Sequence, residues 1–322
     1  GKIKITLHFS HTITKINEYS GHRGAVYGLG YHAGAEKFYS VAGDGWIVAW
    51  DATGQSQDGL LIADSESKLF CCALDYHGKI LIAGDILGFV YWIDLFHNKI
   101  ISKFKAHKNS VFDIIALDES TVITASGDGF ICVWNQENFQ PVISVRLSTQ
   151  GVRSLAIDKK KNRLCVGSSD HNIYILDTNS WEVVDIIKNA HENTVFSLLL
   201  HEDKLLLSGG RDAHLKMRTI SSDYPIKYDI PAHWYTINKI VQIPSHNLIV
   251  TASRDHNVRV WQADDLTPIA TVDHSKGGHR HSVNTLLWLP TDKILVSAGD
   301  DKLIKLWSIS TDIKETNNSK NG

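Results

Sequence analysis

Short apolar runs alternate with polar residues along nearly the whole chain. The first of these runs cover positions 26–29, 38–40 and 47–51, and Gly, Asp, Asn or His residues separate each run from the next. Runs of this length with a period of two, bounded by turn-forming residues, are typical of strands in antiparallel hairpins. The hydrophobic pattern therefore predicts an all-β fold.

The same order of apolar runs recurs at a nearly constant interval. Each copy has an aspartate, replaced once by leucine, in front of a short apolar run, and four of these runs end on tryptophan. The seven positions are Asp44, Leu87, Asp128, Asp170, Asp212, Asp255 and Asp301. Their spacings are 43, 41, 42, 42, 43 and 46 residues. A period of about 40 to 45 residues is typical of propeller blades, and we interpret it as one small unit copied seven times in a single domain.

Four side chains keep fixed places in the complete copies. They are a histidine in the loop that enters the unit, a hydroxyl residue in the second strand, the turn aspartate, and the tryptophan of the third strand. The complete sets, here called tetrads, are His22, Ser40, Asp44, Trp50; His107, Thr124, Asp128, Trp134; His233, Thr251, Asp255, Trp261; and His279, Ser297, Asp301, Trp307.

These residues resemble those of WD40-repeat proteins, whose units open on Gly-His or Ala-His and close on a Trp-Asp-like pair. The resemblance covers most of the 322 residues. It implies a seven-bladed β-propeller of four-stranded antiparallel blades around a central channel, forming one domain over 1–310. The implied blades lie near 22–51, 65–94, 107–135, 148–177, 191–219, 233–262 and 279–308.

The resemblance also implies how the ring closes. In this family an N-terminal strand completes the last blade, and 12–20 lies where such a strand is needed to cover the exposed sheet edge. The alternating segment 2–9 also reads as a strand, which has no assigned place. Residues 311–322 are too polar to pack, and we expect a disordered C-terminal tail.

Three copies depart from the full tetrad, although their apolar strands persist. The replacements are Ser65, Leu87 and Ile93 in the second copy, Ser148, Val166 and Leu176 in the fourth, and Arg218 in the fifth. The fifth copy keeps His191, Ser208 and Asp212 and lacks only the tryptophan. We expect these blades to form through packing more than through polar contacts.

Asp, His and Ser together also suggest a hydrolase. A catalytic triad is needed once, whereas this set appears four times. In the resembling family it is a structural hydrogen-bond chain, and an unpaired buried polar group would cost about 1–3 kcal/mol. No catalytic residue is therefore assigned. An enzyme, a hydrolase or lyase using the channel, is the alternative, with His171, His214 and His256 as the only unshared candidates.

Charge and motifs narrow the classes of ligand. The formal net charge of -2 does not favour phosphate-driven binding of nucleic acid, and no apolar stretch is long enough to span a membrane. The densest histidine group, His274 with His279 and His281, shares His279 with a tetrad and lacks a converging ligand set, so no metal is assigned. No phosphate-binding glycine motif occurs, and no cofactor is expected.

Four cysteines, Cys71, Cys72, Cys132 and Cys165, lie in apolar runs without CxxC spacing. This arrangement favours buried thiols and a cytoplasmic location. The chain starts at Gly1 and its only methionine is Met217, so we expect the natural N-terminus to be missing or replaced. A sensor or assembly domain of a larger protein is thus a further alternative.

The resemblance implies that partners bind on the narrower of the two faces of the ring, here called the narrow face. Residues flanking the first-strand apolar position, and the residue before each turn position, are expected to point onto it, together with two aromatics that follow His233. The residues assigned to partner binding are Tyr27, Phe70, Phe112, Arg153, Phe196, Arg211, Trp234, Tyr235, Arg254 and Asp300. Aromatic and arginine side chains dominate binding hot spots.

The expected function is a non-catalytic scaffold that binds a protein or peptide segment of acidic character on the narrow face, as a monomeric ring within a larger complex. Arginine provides bidentate recognition of acidic groups, and the aromatics provide apolar anchors. The alternative is that the aromatics only cover the channel mouth, and that the arginines are solvated or paired with Asp300 or Glu192.

Overall fold

The chain forms a ring of seven β-sheets. The computed structural model describes residues 5–56, 58–158, 160, 162–202 and 204–317. Within these residues there are twenty-eight strands and two short 3-10 helices, Pro244–His246 and His274–Lys276. The strands form seven four-stranded antiparallel sheets. The predicted all-β, seven-bladed propeller is confirmed.

Each blade uses strands in chain order, from the channel outward. The first strand of the chain, β1, is Ile5–Tyr19. Blade 1 consists of β2 (Val26–Tyr31), β3 (Lys37–Ala42), β4 (Trp46–Asp51) and β5 (Leu60–Asp64), and blade 2 of β6 (Leu69–Leu74), β7 (Ile80–Asp85), β8 (Phe89–Asp94) and β9 (Lys99–Lys105). Blade 3 consists of β10 (Val111–Ala116), β11 (Thr121–Ser126), β12 (Phe130–Asn135) and β13 (Gln140–Arg146), and blade 4 of β14 (Val152–Asp158), β15 (Arg163–Ser168), β16 (Ile173–Asp177) and β17 (Val183–Ile187).

The remaining blades follow the same order. Blade 5 consists of β18 (Val195–His201), β19 (Leu205–Gly210), β20 (His214–Thr219) and β21 (Ile226–Pro231). Blade 6 consists of β22 (Ile237–Ile243), β23 (Leu248–Ser253), β24 (Val258–Gln262) and β25 (Pro268–Val272). Blade 7 combines β26 (Val283–Leu289), β27 (Ile294–Gly299) and β28 (Ile304–Asn317) with β1.

The second and third strands of the blades form the core. In β4 and in β12 the four central residues are all buried. Both faces of such a strand are covered because each blade packs between two neighbours, so these strands are nearly continuous apolar runs. The fourth strands lie at the rim, and β17 exposes every residue except Ile187. The core is thus a set of apolar layers between adjacent blades.

An N-terminal strand closes the ring, as the resemblance implied. β1 pairs antiparallel with β28, with Tyr19 opposite Ile304. Tyr19 is 1% exposed, its ring stacks on Trp50 at 5.2 Å, and its hydroxyl donates to the Asp51 carbonyl at 2.9 Å. The first and last blades are therefore joined by backbone pairing and by aromatic packing.

The C-terminal segment differs from the sequence expectation of a disordered tail over 311–322. Residues 311–317 belong to β28 and pair with the first part of β1, with Asn317 opposite Ile5. The alternating segment 2–9, which had no assigned place, supplies the partner over its described part. Backbone pairing does not require apolar side chains, which is why composition alone was misleading here. Residues 2–4 and 318–322 lie outside the described residues.

Candidate functional site: the narrow face and the channel mouth

The four complete tetrads form continuous hydrogen-bond chains. In blade 1, Trp50 Nε1 donates to Ser40 Oγ at 2.7 Å, and Ser40 Oγ lies 2.7 Å from His22 Nε2. His22 Nδ1 lies 3.0 Å from Asp44 Oδ2. Because the hydroxyl accepts from the indole, its own proton is directed to Nε2, and the imidazole donates through Nδ1 to the carboxylate. The same contacts recur in blades 3, 6 and 7 at 2.7 to 3.3 Å.

Burial and hydrogen bonding set the charge states in the tetrad of blade 6. Burial lowers the pKa of His233 despite the nearby Asp255, which favours a neutral imidazole. Burial by itself would raise the pKa of Asp255, but hydrogen bonds from His233 and from backbone N–H groups lower it to about 2. The hydroxyl groups at this position, for example Thr251, are 0% exposed and are engaged on both sides. A substrate therefore has no access to them as nucleophiles.

Blade 5 keeps most of this chain. His191 lies 2.9 Å from Asp212 and 2.8 Å from Ser208. Arg218, which replaces the tryptophan, is buried and donates to the carbonyls of Tyr224 at 3.1 Å and Ala190 at 3.3 Å. Its guanidinium thus joins the third strand to two neighbouring loops.

Blades 2 and 4 replace the histidine by a tyrosine that sequence reasoning missed. In blade 4, Ser148 Oγ and Tyr174 OH both donate to Asp170 Oδ2 at 2.6 Å. In blade 2, Asp85 supplies the carboxylate that Leu87 lacks, and it accepts from Tyr91 OH at 3.0 Å. The signal was present in the sequence, since each tyrosine lies four residues after its turn position.

A β-bulge begins the first strand of every blade. The register between first and second strands shifts at one residue in all seven sheets, and that residue has no partner in the ladder. Bulges redirect side chains and are common beside functional sites. The seven bulged residues are Tyr27, Phe70, Phe112, Arg153, Phe196, Asn238 and Asn284.

A repeated backbone hydrogen bond holds each turn against its bulge. The residue before the turn position donates to the carbonyl of the residue two places before the bulge, for example Arg211 to Thr194 and Arg254 to Thr236, at 2.7 to 3.0 Å in all seven blades. The two sets of positions assigned to the narrow face therefore lie side by side around one rim.

The bulged residues surround the mouth of the channel, a cavity of about 340 Å³. Tyr27 and Phe70 pack edge to face at 5.0 Å, and Phe70 lies 5.9 Å from Phe112. The guanidinium of Arg153 lies 3.8 Å from the centre of the Phe112 ring and 5.3 Å from that of Phe196. Five of the residues assigned from the sequence thus form one continuous row across blades 1 to 5, which we call the aromatic row.

The three arginines of the narrow face have no carboxylate partner in the described part of the chain. Arg153 Nε donates to Ser169 Oγ at 3.3 Å, and burial together with the charge of Arg211 lowers the pKa of Arg153. Arg211 and Arg254 are exposed. Asp300 lies elsewhere on the face, where it accepts from Asn284 at 2.7 Å and, after burial, raises the pKa of Tyr27.

Trp234 and Tyr235 project from the narrow face of blade 6, with 81% and 61% of their surface exposed. Their backbone is held in place: Trp234 N–H donates to Asp255 at 3.1 Å, and the Tyr235 carbonyl accepts from Ser253 at 3.1 Å. Two large rings therefore face solvent from a fixed loop.

A second ring, missed by sequence reasoning, lines the channel one residue beyond the bulges. Its members are Gly28, Cys71, Asp113, Ser154, Ser197, Lys239 and Thr285. Several of them join adjacent blades, since Asp113 accepts from Leu155 N–H at 2.8 Å and Ser197 accepts from Ile240 N–H at 3.0 Å. Asn238 and Asn284 also join blades, through the carbonyls of Val283 and Val26.

The histidines considered for an enzyme do not converge. His214 pairs with Asp229 at 2.6 Å, and His256 lies 6.3 Å from the ring of His281. The described residues hold no group of three or more His, Cys, Asp or Glu placed to bind a metal ion. Among them no helix has the length and apolar character needed to cross a membrane.

Comparisons with known proteins agree with this geometry. Residues 98–135, 225–262 and 268–308 match the family model described as WD domain, G-beta repeat. The chain is 29% identical over 212 residues to an F-box/WD-40 repeat-containing protein of Arabidopsis thaliana, covering 61% of this chain and 38% of that protein. It is 25% identical over 207 residues to Apoptotic protease-activating factor 1 of Homo sapiens, covering 62% of this chain and 16% of that protein. The chain thus spans less than half the length of either relative.

The fold has a close counterpart among solved structures. The chain superimposes on the WD40 beta propeller domain of Doa1 with a TM-score of 0.82 at 17% identity, covering 92% of this chain and 97% of the other. Three segments of this chain thus match the WD-domain repeat and lie within a seven-bladed ring, so the chain carries WD40 repeats; propellers of this kind are generally non-catalytic and bind protein partners.

Proposed function

We propose that this protein is a non-catalytic interaction scaffold that binds an acidic peptide or protein segment on the narrow face. The observation that carries the proposal is the position of Arg153, which is stacked between Phe112 and Phe196 at the channel mouth without a carboxylate partner among the described residues. An arginine held in this way is presented to a ligand at little entropic cost.

The aromatic row supplies the apolar part of the site. Its rings line a concave cavity and pack against one another through ordered contacts. Rigid aromatic side chains in concave sites are typical anchors of protein interfaces. Trp234 and Tyr235 extend this surface toward blade 6, where their fixed backbone keeps exposed rings available to a partner.

Charge favours an acidic partner over a basic one. Arg153, Arg211 and Arg254 lie on consecutive blades, and Asp300 is already hydrogen bonded to Asn284. Arg153 already occupies the ring faces that would attract a cationic ligand. A carboxylate, in contrast, can pair with the guanidinium fork. The segment therefore places its acidic residues over blades 4 to 6 and its apolar residues over blades 1 to 3.

The ring is proposed to act as a monomer within a larger complex in the cytoplasm. All four cysteines are free, which is compatible with a reducing compartment. The relatives are longer proteins in which the matched region is one part, and this supports a role in assembly.

The test is a selection of short random peptides displayed on phage against the purified chain. Peptides that bind are measured against the triple variant Arg153→Glu, Arg211→Glu, Arg254→Glu. Loss of three cations from the centre of the site should weaken binding more than about tenfold. A matched control changes Lys37, Lys79 and Lys99 to Glu, because these exposed residues lie at or next to the strand ends away from the narrow face.

Peptides of acidic and aromatic composition that lose affinity only for the narrow-face variant would support the proposal. Equal affinity for wild type and the narrow-face variant, at an unchanged melting temperature, would overturn it.

A further inference from the structure

Two polar groups in the channel mouth lack partners within the described structure. Ser154 Oγ is buried, with the residue 3% exposed, and forms no hydrogen bond. Lys239 is half-buried in the same cavity, and no ion pair or hydrogen bond of its ammonium group is present among the described residues. A buried hydroxyl without a partner costs about 1–3 kcal/mol, so this part of the channel is suited to a polar ligand.

Asp113 and Lys239 attract each other, since the charge of Lys239 opposes the rise that burial causes in the pKa of Asp113, but the two side chains form no direct ion pair. The two residues hold equivalent positions in blades 3 and 6 and so face each other across the channel. The Asp113 carboxylate joins blade 3 to blade 4 by accepting from Leu155 N–H at 2.8 Å, and it also accepts from Ile114 N–H of its own strand at 3.1 Å. Lys239 therefore has no direct contact with Asp113, and its ammonium group can pair with an anion that enters from the narrow face.

The charges around the cavity favour an anion over a cation. Its charged lining residues are Arg153, Lys239 and Asp113, which leaves an excess of one positive charge. Ser154, Ser197 and Thr285 also line the cavity, and each carries a hydroxyl group that can donate. Ser197 Oγ already accepts a backbone hydrogen bond, which leaves its own proton free. A carboxylate has the acceptor-only chemistry that this set of donors requires.

We infer that the channel mouth holds one aspartate or glutamate side chain of the segment bound on the narrow face, with its carboxylate between Lys239 and Ser154. The inference rests on the proposed function and deepens it by assigning one acidic residue to the channel, apart from those read by Arg211 and Arg254 on the rim. The cavity, at about 340 Å³, is large enough to admit an aspartate or glutamate side chain.

The experiment is a double-mutant cycle between the protein and an acidic peptide selected on the wild-type chain by display. Each Asp or Glu of the peptide is changed in turn to Asn or Gln, and each peptide is titrated by calorimetry into wild type and Lys239→Met. At one peptide position, the change to Asn or Gln should reduce the affinity for wild type about tenfold. The same change should reduce the affinity for Lys239→Met little, because in that variant the carboxylate has already lost its partner. In Ser154→Ala, changing that same peptide position should cause a smaller loss of affinity than in wild type, and the losses at the other positions should be unchanged.

Controls separate this inference from the proposed function. Lys99→Met makes the same change of charge on an exposed residue at the opposite face and should leave every titration unchanged. Lys239→Gln serves if Lys239→Met lowers the melting temperature. The channel assignment is overturned if each acidic peptide position, when changed, causes the same loss of affinity for Lys239→Met as for wild type while the triple arginine variant still weakens binding. That result leaves the narrow-face function standing. If the triple arginine variant binds as well as wild type, the proposed function itself fails.

Discussion

The guanidinium of Arg153 lies 3.8 Å from the ring centre of Phe112, on the strand of the neighbouring blade. Both residues are bulged positions, so the same irregularity of the ladder directs each of them to the channel mouth. The stack links an apolar half of the narrow face to a cationic half. Phe112 therefore positions Arg153 as well as offering its own surface to a ligand.

Phe112→Leu should weaken binding of an acidic peptide by about fivefold, since a cation–π contact contributes roughly 1 kcal/mol. Leucine keeps apolar bulk but has no ring face for the guanidinium. Calorimetric titration measures the change, and Phe89→Leu, at the start of β8, is a control for loss of a half-buried ring beside a lysine. If both variants lose the same affinity, the stack has no special role.

Tyr174→Phe should destabilise the protein by about 2 kcal/mol, because Asp170 loses a 2.6 Å hydrogen bond to a charged acceptor. Chemical denaturation would measure this loss of unfolding free energy, with the slope of the free energy against denaturant concentration unchanged. Tyr91→Phe makes the matching change in blade 2, where the contact to Asp85 is 3.0 Å. Stability equal to wild type in both variants would mean that these tyrosines do not replace the missing histidines.

Asp255 should make stability depend on acid pH. Its folded pKa of about 2 lies below the ordinary aspartate pKa of 3.8, so the carboxylate stabilises the fold above the unfolded pKa. This contribution is lost as the pH falls from about 4 to about 2, where the folded protein takes up the proton as well. Thermal melts from pH 7 to pH 2 should show a smaller decline for Asp255→Asn than for wild type. Parallel curves would show that this carboxylate is not coupled to folding.

Tyr19→Ala should cost about 3–5 kcal/mol, as expected for loss of a large buried aromatic side chain. The residue is 1% exposed and holds β1 against the first blade through its stack on Trp50. Ile16→Ala, on the same strand but 45% exposed, should cost much less. A similar melting temperature for the two variants would mean that Tyr19 contributes little to closure of the ring.

The repeat in the sequence determined the ring and the places of its equivalent side chains. The spacing of the seven turn positions predicted seven blades, and five of the positions assigned to the narrow face line the channel mouth, namely Tyr27, Phe70, Phe112, Arg153 and Phe196. Such positions can be predicted because each unit repeats the same local ladder, bulge and turn, which depend on residues close in sequence.

Contacts at the copies that depart from the repeat could not be predicted in this way. The sequence marked Ser148 and Leu87 only as departures, and the fold supplied Tyr174 and Asp85 to complete the polar contacts. The pairing of the two chain ends was missed for a similar reason, since polar strands satisfy each other through backbone groups.

The sequence by itself thus determined the all-β class, the number of blades and the face where aromatic and arginine residues gather. Only the tertiary structure decided which of these residues touch, that Arg153 lies against Phe112, and that Lys239 and Ser154 lack partners in the described part of the channel. The physical reason is that periodicity records neighbours along the chain, whereas the charge and hydrogen-bond balance of a channel depends on residues that only closure of the ring brings together.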